Sequence, residues 1–121
     1  MVMTTETHAL LSADTLVGDD VVNSKGEKLG SLKSIMLDSD HGRIAYGVLS
    51  FGGFLGMGDK LFAIPWSALR INRKDKCCVF DVDKKKLEKA AGFDKSEWPD
   101  FANADWNTET YKYWGQKPYW A

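Results

Sequence analysis

From Leu16 to Asp83 the chain alternates short apolar runs with turn signals at intervals of about eight to twelve residues, the spacing of an all-β sandwich or barrel. Leu16–Val22 reads as a first strand, closed by the turn "NSKGE". Lys28–Leu37 reads as a second strand. Its apolar residues Leu32, Ile35 and Leu37 miss strict alternation by one step, which predicts a bulge near Lys33–Ser34. "DSDHG" then turns the chain into "RIAYGVLSF", Arg43–Phe51, the strongest strand signal. Ile44, Tyr46 and Val48 share one face of it, and Ala45, Leu49 and Phe51 share the other. A strand apolar on both faces is expected to be covered on both. Lys60–Pro65 is the next strand, "WSAL" a turn or one helical turn, and Leu69–Ile71 resumes strand. After the turn "NRKDK", Cys77–Val82 is the last strand.

The pattern changes after Asp83, which is placed to cap a helix over "KKKLEKAAG". Leu87 with Ala90 or Ala91 forms its inner face, and Gly92 is expected at C′, just past the C-cap. So short a helix needs tertiary contacts to persist. The remainder, Phe93–Ala121, is aromatic: Trp98, Trp106, Trp114 and Trp120 all fall there. Asn103 is placed to cap a second short helix, with Asp105 in its favourable first turn. Trp106, Thr110, Tyr113 and Trp114 recur on one helical face, Gly115 ends the helix, and Pro118 lies beyond it. Burial of the tryptophans alone does not offset the entropy of ordering this segment, so Phe101, Tyr111, Tyr113 and Tyr119 are expected to bury as well. The surface available to them is the outer face of the barrel, which would account for the two apolar faces of Arg43–Phe51. The expected organisation is a mobile N-terminal arm over 1–14, a barrel over 15–83 and an extension over 84–121 packed on it.

Composition narrows the function classes. The chain of 121 residues carries 16 basic and 17 acidic residues, a formal net charge of −1, so no positive excess points to nucleic acid. No stretch approaches the roughly 18 apolar residues of a membrane span, and the N-terminus lacks the basic and apolar regions of a secretory signal. Cys77 and Cys78 are adjacent, so on a strand they point to opposite faces. They suit reduced thiols in a cytoplasmic protein rather than a disulfide framework.

The glycine-rich stretch "SFGGFLGMGDKLFAIPW" is the most conspicuous loop. A phosphate-binding loop ends in Gly-Lys-Ser/Thr and opens a helix, whereas here Gly58 precedes Asp59 and Lys60 and a strand follows. Its glycines permit positive φ in a strand–loop–strand connection. Phe54, Leu55 and Met57 either cap a barrel end or face a partner. Asp38, Asp40 and His41 read as a solvated turn, because a calcium loop needs its glycine later and a distant Glu. With His8 and His41 the only histidines, no zinc pattern forms. No nucleophile, base and orienting group come together in a motif, so no catalytic residue, metal or cofactor is expected. The lysines Lys84–Lys86 and Lys89 read as a solvated helix face.

The segment "LVGDDVVNSKGEKLGSLKSIMLDSDHGRIAYGVLSFGGFLGMGDKLFAIPWSAL" resembles the PRC-barrel domain, through "VVNSKGEKLGSL", the "LDSDHGRIAYGVLS" hairpin and the glycine loop leading into "FAIPWSAL". The tail "GFDKSEWPDFANADWN…YWGQKPYW" is similar to the extension of small, stand-alone bacterial members. The resemblance implies a mainly β fold, a small six-stranded barrel followed here by one or two short helices, and no common active site. The domain occurs in the photosynthetic reaction-centre H subunit, at a membrane-protein surface, and in a ribosome maturation factor, where it helps engage a ribosomal protein. The expected function is therefore a non-enzymatic interaction or assembly module, a cytoplasmic homodimer with an unidentified protein partner and no membrane insertion. Its candidate contact residues are Phe54, Leu55, Met57, Trp98, Trp106 and Trp114. The alternatives are a ribosome- or RNA-associated assembly factor, to which the Lys84–Lys89 cluster would contribute, and a small-molecule or metal sensor.

Overall fold

The computed structural model describes residues 10–52 and 60–121. Phe54, Leu55 and Met57 lie outside the described residues. The chain runs through α1 (Ala13–Leu16), β1 (Asp20–Val22), β2 (Lys28–Asp38), β3 (Arg43–Phe51), β4 (Lys60–Pro65), a 3-10 turn (Trp66–Ala68), β5 (Leu69–Asn72), β6 (Cys77–Phe80), α2 (Lys84–Lys89) and α3 (Ala104–Tyr113). The six strands form one half-barrel sheet in the order β4-β3-β2-β1-β6-β5. All neighbours are antiparallel except β1 and β6, which run parallel.

The predicted bulge is present: the β2–β3 register shifts between Leu32 and Ser34. It shifts again between Met36 and Leu37, and the second step leaves Leu37 exposed. Strand β3 has the predicted bounds. The sheet's concave side holds Val21, Leu29, Leu32, Leu49, Phe51, Phe62, Ile64, Cys78 and Phe80, joined in one core by Leu16 of α1 and by Leu87 and Ala90 of the α2 segment. Gly30 is required there by close approach. A Cβ at that position would stand 1.8 Å from the Ser50 carbonyl oxygen on β3.

The first strand differs from expectation. Leu16 ends the short helix α1, and the strand begins only at Asp20. Gly18, at φ +98°, breaks the path between them, while the Gly18 amide donates to the Leu32 carbonyl at 2.7 Å. Leu16 is thereby delivered into the core as a plug rather than as a strand residue. Residues 13 and 14, expected in the arm, belong to this helix. The last strand stops at Phe80, because Val82 turns back on it with its amide donating to the Phe80 carbonyl at 2.9 Å.

Buried Asn23 fixes the β1–β2 turn. Its side-chain oxygen accepts from the amides of Lys25 (3.1 Å) and Glu27 (3.0 Å), and its Nδ2 donates to the Val82 carbonyl (3.3 Å) across the fold. Asp83 caps α2 by accepting from the Lys85 amide at 3.0 Å. The helix ends at Lys89 with Ala90 already extended, so Gly92 sits one position beyond the expected C′. Its left-handed φ of +60° and the Leu61 carbonyl, 2.9 Å from where a Cβ would be, still demand glycine. Lys60 reaches from β4 to donate to the carbonyls of Glu88 (2.7 Å) and Ala90 (3.0 Å), joining a cation to the helix C-terminus.

Gly30→Ala is expected to destabilise the fold by about 3 kcal/mol or more, the upper range for forced overpacking. Urea unfolding checks this: the midpoint should fall with the slope unchanged.

Candidate interaction surface

The C-terminal extension covers the convex side of the sheet. Phe93 pairs its backbone with Leu61 on the exposed edge of β4, with an N–H···O bond of 2.8 Å in each direction. Asn103 then caps α3, its Oδ1 accepting from the Trp106 amide at 3.0 Å. The helix ends in a Schellman motif. Gly115, at φ +70°, donates to the Lys112 carbonyl (3.0 Å), and Gln116 donates to the Tyr111 carbonyl (2.9 Å).

The inward face of α3 is rotated from the expected stripe. Tyr111 is the fully buried residue, while Tyr113 is 51% exposed. The helix lies so that Tyr111 meets Tyr46 of β3, with ring centroids 5.4 Å apart in an edge-on arrangement. Phe101 and Trp106 flank Tyr46 at 5.7 and 5.6 Å, and Trp120 stands edge-on to Tyr111 at 4.8 Å. The hydroxyls are satisfied: Tyr46 donates to Asn107 Oδ1 (2.5 Å) and Tyr111 to the Ala45 carbonyl (2.7 Å). Burial raises both phenols, Tyr111 to about 12, so each stays a neutral donor. Asn107 in turn donates to the carbonyls of Phe101 (2.8 Å) and Asn103 (3.0 Å).

The candidate contact residues fall into three groups. Phe54, Leu55 and Met57 are outside the described residues. Trp106 and Trp114 are half-buried against their own barrel. Trp114 reaches the concave core, edge-on to Phe80 at 5.3 Å and Phe62 at 6.1 Å. Trp98 is 37% exposed and leans on Phe93 at 5.3 Å. A cleft of about 690 Å³ opens between α3 and β4, floored by Phe62 and Ala63, walled by Phe93, Trp106 and Trp114, and rimmed by Glu97, Glu109 and Lys112. Nothing in the single-sequence pattern marks this cleft, because its walls come from three separate segments.

The last residues are fastened by a polar clasp. Asp38 Oδ2 accepts from the Tyr119 hydroxyl (2.5 Å) and pairs with His41 Nδ1 (2.9 Å), while Asp38 Oδ1 accepts from the amides of Asp40 and His41 (each 3.1 Å). The Arg43 guanidinium stands 4.7 Å from the Tyr119 ring centre. The turn read as solvated therefore also anchors the C-terminus, through a partner 81 residues away. The hydrogen bond from Tyr119 holds the Asp38 carboxyl below the usual aspartate value, helped by His41 and opposed by desolvation.

The two thiols are adjacent on β6 but differ in burial. The Cys78 thiol is buried and pushed up to about 11 by desolvation. The Cys77 thiol is raised by desolvation and by the nearby carboxylates of Asp75, Asp19 and Asp20. Both are free thiols. Among the described residues no group of three or more His, Cys, Asp or Glu side chains is arranged to hold a metal ion. No helix there is long and apolar enough to cross a membrane.

A family model, the PRC-barrel domain, matches residues 9–87, more than half of the chain. The chain belongs to the PRC-barrel domain family. Among solved structures it is similar to a 16S ribosomal RNA processing protein, RimM, from Pseudomonas aeruginosa, at 15% identity and a TM-score of 0.44. That match covers 69% of this chain and 50% of the other, so this chain spans half of that protein's length. No curated protein matches it in sequence. The family match ends within α2, so α3 and the aromatic layer of this PRC-barrel chain lie beyond the matched region.

The depressed Asp38 value sets a sign for the clasp's pH dependence. The stabilisation is fully present above the ordinary aspartate value of 3.8 and is lost as pH falls through the lower folded value. In Tyr119→Phe the Asp38 carboxyl should titrate closer to 3.8, and the Tyr111–Trp120 contact should loosen at neutral pH. Carboxyl-detected NMR titration of both proteins checks this, and identical Asp38 curves would contradict the clasp.

Proposed function

We propose that this PRC-barrel chain is a non-enzymatic interaction module that assembles as a homodimer in the cytoplasm. Its contact surface is the glycine loop with Phe54, Leu55 and Met57, together with the aromatic flank at Trp98 and the outward edges of Trp106 and Trp114. One contrast carries the reading: Asp38 and the two thiols are tied up or disfavoured for chemistry, while aromatic surface is left open. Asp38 already accepts from Tyr119, His41 and two amides, and the thiols sit above their ordinary values, which disfavours the nucleophilic thiolate. In contrast Trp98 and Tyr113 are 37% and 51% exposed on the layer that covers the barrel. Aromatic side chains of this kind are enriched in interfaces, where they contribute large area at low entropic cost. The free thiols Cys77 and Cys78 fit a reducing compartment.

Replacing Phe54, Leu55 and Met57 together with Ser is expected to convert a dimer to a monomer, measured by light scattering during size-exclusion chromatography, with the far-ultraviolet circular dichroism unchanged. A mass unaffected by the triple substitution, or a wild-type chain already monomeric at high concentration, would overturn the reading.

A further inference from the structure

We propose that the cleft between α3 and β4 binds a small organic cation with an apolar body, of the aryl-alkylammonium class. Its volume of about 690 Å³ lies within the roughly 300–1,000 Å³ range of small-molecule sites. The walls supply aromatic surface from Phe93, Trp106 and Trp114, and such rings attract a cation over their faces. The same aromatic cluster already holds one. The Lys86 ammonium stands 5.0 Å from the centre of Tyr113 and 5.2 Å from that of Trp114. That cation belongs to α2 and is seated against these two rings, whereas Trp106 has no such partner among the described residues.

Charge complementarity fixes the sign of the ligand. Glu97 and Glu109 both line the cleft with Trp106, and neither carboxylate has an ion-pair partner among the described residues. The opposing charge at the rim is Lys112, which pairs with neither carboxylate and whose long stem lets its ammonium turn to water. On α3, Glu109 lies one helical turn from Trp106. A cation over the Trp106 ring is therefore offered a carboxylate from the same helix and a second from the segment before it. An anion would find its counter-charges only at Lys112 and at Lys86, whose ammonium is already seated against Tyr113 and Trp114, and would meet two like charges beside Trp106. The cleft shares Trp106 and Trp114 with the proposed contact surface, so the mass of the assembly is followed alongside the titration, and saturable binding at unchanged mass separates this inference from that reading.

The test is titration of the whole chain with benzyltrimethylammonium, benzyl alcohol and phenylacetate, followed by the indole N–H resonances of the tryptophans. The expected result is saturable shifts at Trp106 and Trp114, with the cation bound about tenfold or more tighter than the alcohol and phenylacetate bound most weakly. In Glu97→Gln/Glu109→Gln, both sites being exposed, the cation's affinity should fall to that of the alcohol while the rest of the spectrum stays unchanged. Equal affinity for cation and alcohol, an unchanged affinity in the double variant, or no saturable shift at millimolar cation would each overturn the proposal.

Discussion

Strand β3 is buried on both of its faces, and this requirement organises the molecule. Leu49 and Phe51 belong to the concave core, while Tyr46 belongs to the convex cluster with Ala63 and Tyr111. A half-barrel alone would leave Tyr46 in water beside the apolar residues Val48 and Ala63. The aromatic extension removes that surface from solvent, and the paired hydroxyls of Tyr46 and Tyr111 fix where α3 sits. Area burial is non-directional, whereas the bonds to Asn107 and to the Ala45 carbonyl are not. The first makes the layer stable and the second gives it one register.

The extension is held at its ends as well as along its length. Phe93 adds a single backbone bridge to the edge of β4, which shields part of an otherwise open strand. At the far end Tyr119 is tied to Asp38 in the β2–β3 turn. Between these points Trp114 crosses from the convex layer to the concave core, against Phe62 and Phe80. The covering layer and the barrel therefore share side chains, and loss of one is expected to weaken the other.

Polar groups follow the same division of labour. Asp38, Asn23, Asn103 and Asp83 each satisfy backbone amides at a turn or a helix start, so most of the conspicuous polar residues serve the backbone. Among the described residues, open surface includes an aromatic cleft lined by two carboxylates without an ion-pair partner, and the exposed flank at Trp98. The Trp98 flank and the cleft walls at Phe93, Trp106 and Trp114 lie on the extension, beyond the matched residues 9–87, while Phe62 and Ala63 of the barrel floor the cleft.

Strand identity was legible in the sequence because period-two alternation and turn residues are local properties. Arg43–Phe51, the bulge after Leu32 and the caps at Asp83 and Asn103 were all readable from neighbouring residues, and the motif combination pointed to the PRC-barrel family. The need for an outer layer was readable too, since a strand apolar on both sides demands two covers. Which residues make that cover was readable in part: Phe101, Tyr111 and Tyr119 pack there as expected, whereas Tyr113 is exposed. Helical spacing selected Trp106, Thr110, Tyr113 and Trp114, yet packing buried Tyr111 and exposed Tyr113, because the position of Tyr46 rotates the helix. Leu16 likewise has strand character by pattern but becomes a helical plug after Gly18 turns the chain. The Asp38–Tyr119 clasp and the cleft between α3 and β4 join segments far apart in sequence. Local chemistry determined the elements, and only tertiary contact between them decided which faces meet and what surface is left to act.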